Sequence, residues 1–395
     1  MGVKSVGVVG AGTMGCGIAA MACLGGYPTR IQDPDADVLG RAQETAAAAL
    51  AKGAGRAWSE EDAERGRGLL STVAGTDGLA GCDLIIEAAP ERLDLKQALF
   101  ADLAEACGAE TILASNTSSL RVADIAARTP EPERVVGMHF FNPPTRMQLV
   151  EVVATDASTP AALEAATEVV ERMRRTPIRA KDSPGFIANR LARPFFLESL
   201  RMLAGGVADA TTIDRVYRLG GGFRMGPFEL IDLIGLDVNL SVARSFYEQG
   251  GRPERWRPSA IQAEMVEAGR LGRKSGEGFY DYRGGRHRPD DPDLGIEAPT
   301  FDPGQLARID PAAGEILPRL FAQIANETAF AREEEVGTPA DMDTAMRLGF
   351  NWPLGPVGIS ELIGAGRAAA LLEDLRQDHG EAYAPAARLL PVTGG

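Results

Sequence analysis

The sequence predicts an α/β domain built on a mostly parallel sheet, followed by two related all-helical domains. Three observations carry this: a strand–helix alternation in the first half, a change of pattern near residue 184, and a self-similarity at an offset of 129 residues. Over 1–183 the short runs SVGVVG, CDLIIEA, TILAS and RVVGMHF alternate with longer helical patterns, as βαβ units do. At KDSPGFIANRLARPFFLESLRMLAGG the pattern turns helical, with Ser183 placed as N-cap, Pro184 at the first helical position, and a long apolar helix that Pro194 should kink. A helical domain is therefore expected over 184–285. The stretch 286–309 gathers Pro, Asp and Gly without periodicity and reads as a linker, leaving 310–390 as the last domain.

The self-comparison lays YRLGGGFRMGPFELIDLIG over MRLGFNWPLGPVGISELIG without a gap. In that register Glu198 meets Glu327, Asp214 meets Asp343, and Gly226-Pro227 meets Gly355-Pro356, so a duplicated helical unit is expected. Leu219/Leu348, Gly220/Gly349 and Leu233/Leu362 are read as its shared packing set. Asn189, in contrast, faces Pro318, so the second copy does not repeat whatever Asn189 does.

With 395 residues, 45% of them hydrophobic, the chain can bury a sizeable core. A formal charge of −14 argues against nucleic acid or an anionic membrane as a partner, since phosphate contacts need concentrated Lys and Arg. The four cysteines, Cys16, Cys23, Cys82 and Cys107, lack CxxC spacing and sit in apolar segments. Buried free thiols, no metal site and a reducing cytoplasm are expected. No apolar run approaches the roughly 18 residues of a membrane span, and the first residues pass directly into a strand pattern, leaving no room for a signal peptide.

SVGVVGAGTMGCGIAAMACLGGY holds Gly10, Gly12 and Gly15 as GxGxxG between a strand pattern and a helix. Gly10 permits the turn, Gly12 lets the backbone approach a pyrophosphate, and Gly15 lets the helix pack on the strand, so a Rossmann-like NAD-binding domain is expected. Thr13 and Met14 open the helix whose N-terminal N–H groups face the phosphates. The next strand, PTRIQDPD, ends in Asp33, where an acid accepts from the ribose hydroxyls of NAD and repels the 2′-phosphate of NADP. Arg30 lies nearby in sequence and is the residue that would favour the phosphate.

Beside a nicotinamide site, His139 acquires a task. It is one of three histidines, and oxidising an alcohol requires a base near neutrality to take the hydroxyl proton. Glu151, among apolar residues of QLVEVV, is costly unless paired, and an imidazolium is its economical partner. The bland alternatives are a structural histidine and an edge-strand carboxylate.

The motifs GAGTMGCGIA, ASNTSSL, HFFNPP, LVEVV, KDSPGFIANRL, MGPFELIDLIGLD and GRKSGEGFYDY resemble, in order, the L-3-hydroxyacyl-CoA dehydrogenases, including the 3-hydroxybutyryl-CoA dehydrogenases, from residue 3 to about 282. The resemblance implies reversible NAD-dependent oxidation of a 3-hydroxyacyl-CoA, most readily a short one, with His139 as base and Glu151 as its partner. It also implies that Ser118 contacts the substrate hydroxyl and nicotinamide, and that Asn189 helps hold the substrate's oxygens. Asp33, Glu91, Lys96, Asn116 and Asn142 correspond to cofactor contacts, and Lys52 and Arg56 are the cations offered to the CoA phosphates. Both helical copies would be of the family's C-terminal type, a tandem arrangement in which the second copy could imitate a dimer partner; monomer and homodimer both stay open. Two rivals remain, a dehydrogenase of a free hydroxy or sugar acid and a catalytically silent NAD-binding protein.

Overall fold

A computed structural model of the chain describes residues 2–53, 58–284, 287–288 and 290–390. It divides into two compact units, Met1–Phe186 and Ile187–Gly395.

The first unit is built on eight strands: β1 (Val6–Val9), β2 (Thr29–Gln32), β3 (Leu70–Val73), β4 (Leu84–Glu87), β5 (Ile112–Ser115), β6 (Val135–Phe140), β7 (Leu149–Ala154) and β8 (Thr176–Lys181). Between them run helices α1 (Thr13–Leu24), α2 (Ala36–Gly53), α3 (Glu60–Arg67), α4 (Leu93–Ala106), α5 (Val122–Ala126) and α6 (Pro160–Arg172). The sheet order is β3-β2-β1-β4-β5-β6-β7-β8, whose first six strands are parallel in the dinucleotide-fold order. β7 returns antiparallel to β6 and pairs parallel with β8. β-branched and small residues fill the sheet because both its faces are covered, and Val6, Val8, Ile31, Leu84, Ile86, Ala114, Val136 and Met138 are buried.

α1 is buried from Gly15 to Leu24, and its Gly, Ala and Cys side chains let it lie close to the sheet. A Cβ on Gly15 would stand 1.7 Å from the Gly10 carbonyl oxygen, so this close approach needs glycine. All four cysteines are buried free thiols.

In the second unit, α7 (Ala188–Leu191), α8 (Arg193–Ala204), α9 (Ala210–Leu219), α10 (Pro227–Ile234), α11 (Leu236–Gln249) and α12 (Ala260–Glu267) form the first copy. After α13 (Pro303–Ile309), the second copy follows as α14 (Ala313–Glu333), α15 (Pro339–Gly349), α16 (Pro356–Ile363) and α17 (Ala365–His379). Adding 129 maps α9 onto 339–348, α10 onto 356–363 and α11 onto 365–378, within a residue of the observed second set. Each copy uses the same device at its centre. Asp214 accepts from the backbone N–H of Phe228 (2.9 Å) and Glu229 (3.0 Å), and Asp343 from that of Val357 (2.8 Å). Side-chain acceptors thus serve the orphan donors at the starts of α10 and α16. The preceding glycines must be bare, because a Cβ on Gly226 or Gly355 would come within 2.2 Å of the Asp carboxyl carbon.

Four sequence expectations are corrected here. The helix expected from Pro184 begins only at Ala188, because Gly185 (φ 70°) and Phe186 (φ 53°) take left-handed conformations that a helix cannot include, and Ser183 caps nothing. Pro194 does more than kink the helix: α7 ends at Leu191 and α8 begins with Pro194 in its first turn. The 286–309 linker contains α13, capped by Asp302 and opened by Pro303, and its Asp291 is pinned to Arg218 at 2.6 Å. Leu233 and Leu362, assigned to packing, stand 50% and 43% exposed beside the positive-φ glycines that end their helices.

Candidate active site

The candidate site assembles at the carboxyl ends of the parallel strands, where a doubly wound sheet opens a crevice. After β1, Gly10 turns with φ 96° and delivers the chain into α1 at Gly12, whose N-cap has no side-chain acceptor. No protein atom lies within 4 Å of where a Cβ on Gly12 would stand. The protein itself therefore has no steric need of glycine there. The space above a bare helix N-terminus fits a pyrophosphate, so the glycine turn, Thr13 and Met14 suit a dinucleotide.

Asp33 follows β2 immediately. Its Oδ2 accepts from the Ala11 N–H at 2.8 Å and its Oδ1 from Asp35 N–H at 2.9 Å, which fixes the carboxylate beside the glycine turn. Arg30 is turned away, with its guanidinium donating to the carbonyls of Gly78 (3.1 Å) and Ala80 (2.8 Å).

The end of β4 carries an acid that the motifs did not reveal. Glu87 is wholly buried and accepts from Lys96 Nζ (2.5 Å), Ala89 N–H (2.6 Å) and Ser115 Oγ (2.6 Å). Lys96, placed by sequence at the cofactor, is itself only 1% exposed; its ammonium bridges Glu87 and, at 3.3 Å, Glu91. Glu91 in turn gathers the loop after β5. Its Oε1 accepts from Thr117 Oγ1 (2.7 Å), from Ser118 and Ser119 N–H (3.0 Å each) and from Ser119 Oγ (2.9 Å). Burial raises the Glu91 pKa, but Lys96 and the hydrogen bonds from Thr117, Ser119 and Ser118 outweigh it and hold the carboxyl below its ordinary range. An apolar strand ending in Glu with a Lys nine residues on was the available signal for this ion pair.

Asn116 links the neighbouring strands: its N–H donates to the Glu87 carbonyl, and its Oδ1 accepts from Phe140 N–H at 2.8 Å, next to His139. The reversal of β7 puts His139 directly opposite Glu151 in the antiparallel register. His139 Nδ1 lies 2.7 Å from Glu151 Oε2, with His139 5% exposed and Glu151 fully buried. A buried carboxylate on Nδ1 holds the proton there, which leaves the Nε2 lone pair free to accept a proton. Phe141 and Phe186 flank the imidazole, with ring centroids at 4.6 and 5.8 Å.

Asn142 follows β6 and is exposed. The segment Pro143–Arg146 then closes one side of a cleft of about 730 Å³, whose other walls are Thr13, Cys16 and Gly17 of α1 and Glu44, Thr45 and Lys52 of α2. Lys52, expected at the CoA phosphates, lines this cleft; Arg56 lies outside the described residues. Asn189 is on α7 in the second unit, where its carbonyl accepts from Arg193 Nε at 3.1 Å.

A phosphate-ready glycine turn and a histidine–carboxylate pair on one mixed sheet, the pair across its antiparallel β6–β7 ladder, define a dinucleotide-dependent oxidoreductase. Comparison with known proteins narrows the class. The model of the 3-hydroxyacyl-CoA dehydrogenase NAD-binding domain matches residues 5–183, and that of the 3-hydroxyacyl-CoA dehydrogenase C-terminal domain matches 185–282 and 314–392. The chain belongs to the 3-hydroxyacyl-CoA dehydrogenase family. It is 37% identical to the 3-hydroxyadipyl-CoA dehydrogenase of Escherichia coli K12, over 96% of this chain and 95% of that one. It is 40% identical to the 3-hydroxybutyryl-CoA dehydrogenase of Bradyrhizobium diazoefficiens, covering 73% of this chain and 98% of the relative. The crystal structure of a 3-hydroxybutyryl-CoA dehydrogenase from Escherichia coli K12 superposes with a TM-score of 0.87 at 35% identity, covering 98% of both chains. The cofactor is NAD, and the duplicated C-terminal segment expected from sequence is present.

Proposed function

We propose that the protein catalyses the reversible NAD-dependent oxidation of a short L-3-hydroxyacyl-CoA to the 3-ketoacyl-CoA. The observation that carries this is the buried His139–Glu151 pair at 2.7 Å on the sheet that bears the glycine turn. His139 Nε2 takes the proton of the substrate hydroxyl, and Glu151 offsets the charge that the imidazole gains. Ser118 and Asn189 hold the reacting oxygens, the roles their motifs have in the family. NAD, when bound, supplies the hydride acceptor.

On this reading Gly10, Gly12, Thr13, Met14 and Gly15 hold the pyrophosphate, and Asp33 takes the ribose hydroxyls. Glu91 and Asn142 face the nicotinamide end, with Lys96 and Asn116 supporting the loops that carry them. Lys52 meets the CoA phosphates across its cleft, which makes a free hydroxy acid the poorer substrate. Four buried free thiols suit a reducing cytoplasm, and among the described residues no helix is long and apolar enough to cross a membrane. The second copy takes the place of a dimer partner on the first, which supports a monomer with an internal pseudo-dimer, with a homodimer as the alternative.

Steady-state rates with 3-hydroxyacyl-CoA thioesters and the corresponding free hydroxy acids test the assignment. Thioesters should win on kcat/KM. Equal values for the free acids would remove CoA from the reading, and no NAD reduction with either class would leave a silent binding protein.

A further inference from the structure

Within the second unit the two helical copies meet through two equivalent corners, and only one of them is filled. At the filled corner, Arg190 is held by Glu327 (2.7 Å) and by both oxygens of Glu334 (2.7 and 2.9 Å). Arg255 closes the space, donating to Glu327 at 3.0 Å with its guanidinium carbon 4.2 Å from the ring centre of Phe330. At the other corner Arg319 takes the place of Arg190, and Glu198 that of Glu327. There a cavity of about 550 Å³ opens, bounded by α8, the start of α12, α14 and the end of α17.

The repeat accounts for the difference. The 129-residue offset sets Arg201 against Phe330 and Gly205 against Glu334. Past α11 and α17 the offset shortens to 127, which lays RWRP from Arg255 over AYAP from Ala382. That alignment holds in space, since Trp256 Nε1 donates to Glu327 and Tyr383 Oη to Glu198, both at 3.1 Å. Arg255, Phe330 and Glu334, which fill the first corner, are therefore replaced at the second by Ala382, Arg201 and Gly205. All three replacements line the cavity.

The exchange also shifts the charge, because a carboxylate is lost and a guanidinium stands where a ring was. In the filled corner two arginines share Glu327 and Glu334. In the open one Arg319 and Arg201 share Glu198, at 2.9 and 3.3 Å. Arg257 and His379 add basic groups to the wall. Its acids are Glu254, already bound to Arg257 at 2.7 Å, and Glu315, which reaches Arg319 at 3.1 Å and is 56% exposed. Ser259 gives α12 no side-chain cap, so the orphan N–H groups of that helix start lie on the same wall. Leu197, Leu200 and Val207 make the rest apolar.

We propose that this corner is a second, non-catalytic binding site for a small organic carboxylate with an apolar body. The ligand's carboxylate stands in for that of Glu334 beside Arg201 and Arg319, and its body lies against the leucines. Guanidinium groups favour a carboxylate through charge-assisted, paired hydrogen bonds. An alcohol of the same shape lacks the charge, and inorganic phosphate lacks the body. Occupancy stabilises the joint between the copies, because the site draws on α8 of the first and on α14 and α17 of the second. The site lies wholly in the second unit and is independent of the dehydrogenase reading.

The test titrates hexanoate into the full chain by calorimetry and follows thermal melting. One site with a Kd on the order of 1 mM is expected for so small a ligand. At a tenfold excess over Kd the Tm should rise by about 3 °C. Hexanol and inorganic phosphate should bind weaker by about tenfold or more. The double variant Arg201→Phe/Ala382→Arg puts the residues of the filled corner into the open one. It should abolish the heat of hexanoate binding while 3-hydroxyacyl-CoA oxidation continues. Should it not fold, Arg201→Gln takes its place, with a Kd raised by about tenfold or more. Absence of saturable hexanoate binding overturns the proposal, as does equal affinity for hexanol or phosphate, or wild-type affinity in a folded variant. Affinity that vanishes when NAD and 3-ketobutyryl-CoA are saturating would put hexanoate in the crevice of the first unit and overturn it too.

Discussion

Arg190 of the first helical copy donates to Glu327 of the second at 2.7 Å, and the equivalent pair in reverse, Arg319 to Glu198, lies at 2.9 Å. Since Arg319 is the repeat of Arg190 and Glu327 the repeat of Glu198, the two copies meet as halves of a symmetric dimer do, each giving what it receives.

Glu327 also accepts from Arg255 Nε at 3.0 Å and Trp256 Nε1 at 3.1 Å, so its loss leaves the wholly buried Arg190 and its neighbour Arg255 to the half-exposed Glu334. Glu327→Gln should lower the unfolding free energy by about 1–3 kcal/mol, the cost of weakening a buried hydrogen-bonded cluster whose cation keeps a second carboxylate. Urea midpoints at neutral pH measure it. Truncation near residue 300 should act in the same direction, giving aggregation or a new dimer by exposing Arg190, Glu198 and the apolar face around them. A truncated chain that stayed monomeric with the parent's stability would refute the pseudo-dimer.

His139→Gln should lower kcat by on the order of 10² to 10⁴, the range for losing a positioned base. NAD affinity, read by fluorescence titration, should change little. One NAD per chain is expected in that titration, since His287 is tied to Glu229 at 2.8 Å and no second glycine turn precedes the second copy.

NAD should exceed NADP in kcat/KM because Asp33 stands beside the glycine turn while Arg30 is occupied by two carbonyls. Parity between the cofactors would sink this assignment. Asp33→Asn should narrow the gap and also weaken NAD, because the same carboxylate fixes Ala11 N–H.

Gly12 and Gly15 should separate binding from folding. A Cβ on Gly15 collides with the Gly10 carbonyl, so Gly15→Ala should unfold or strongly destabilise the first unit. Gly12→Ala meets no protein atom and should stay folded near the parent melting temperature while losing NAD affinity by about tenfold or more. Thermal melts with and without NAD distinguish the two.

Because Glu91 is held below its ordinary value of 4.5, its contribution to stability is complete above that value and is lost as pH falls through the lower folded value. Acid titration should show part of the stability disappearing in that window. In Glu91→Gln the acid-side loss should be shallower, with neutral stability reduced by the missing ion pair to Lys96.

The fold class, the glycine turn, Asp33 and the repeat were legible in the sequence because each rests on local backbone demands or on internal similarity. GxGxxG reports the conformations of a turn, and an offset of 129 residues reports duplication without any structure. The start of the helical unit was misread because Ser-Pro is a helix-start signal in isolation, and only the left-handed turn at Gly185–Phe186 shows that it was overridden. Partners were a different matter. Sequence named His139 and Glu151 as a pair through the family motifs, but the antiparallel return of β7 is what sets them opposite one another at 2.7 Å. Likewise the Glu87–Lys96–Glu91 chain and the exchange between Arg190 and Arg319 exist only after residues far apart in the chain share one low-dielectric interior. There the cost of an unpaired charge selects the pairs, and a linear pattern does not record which ones close.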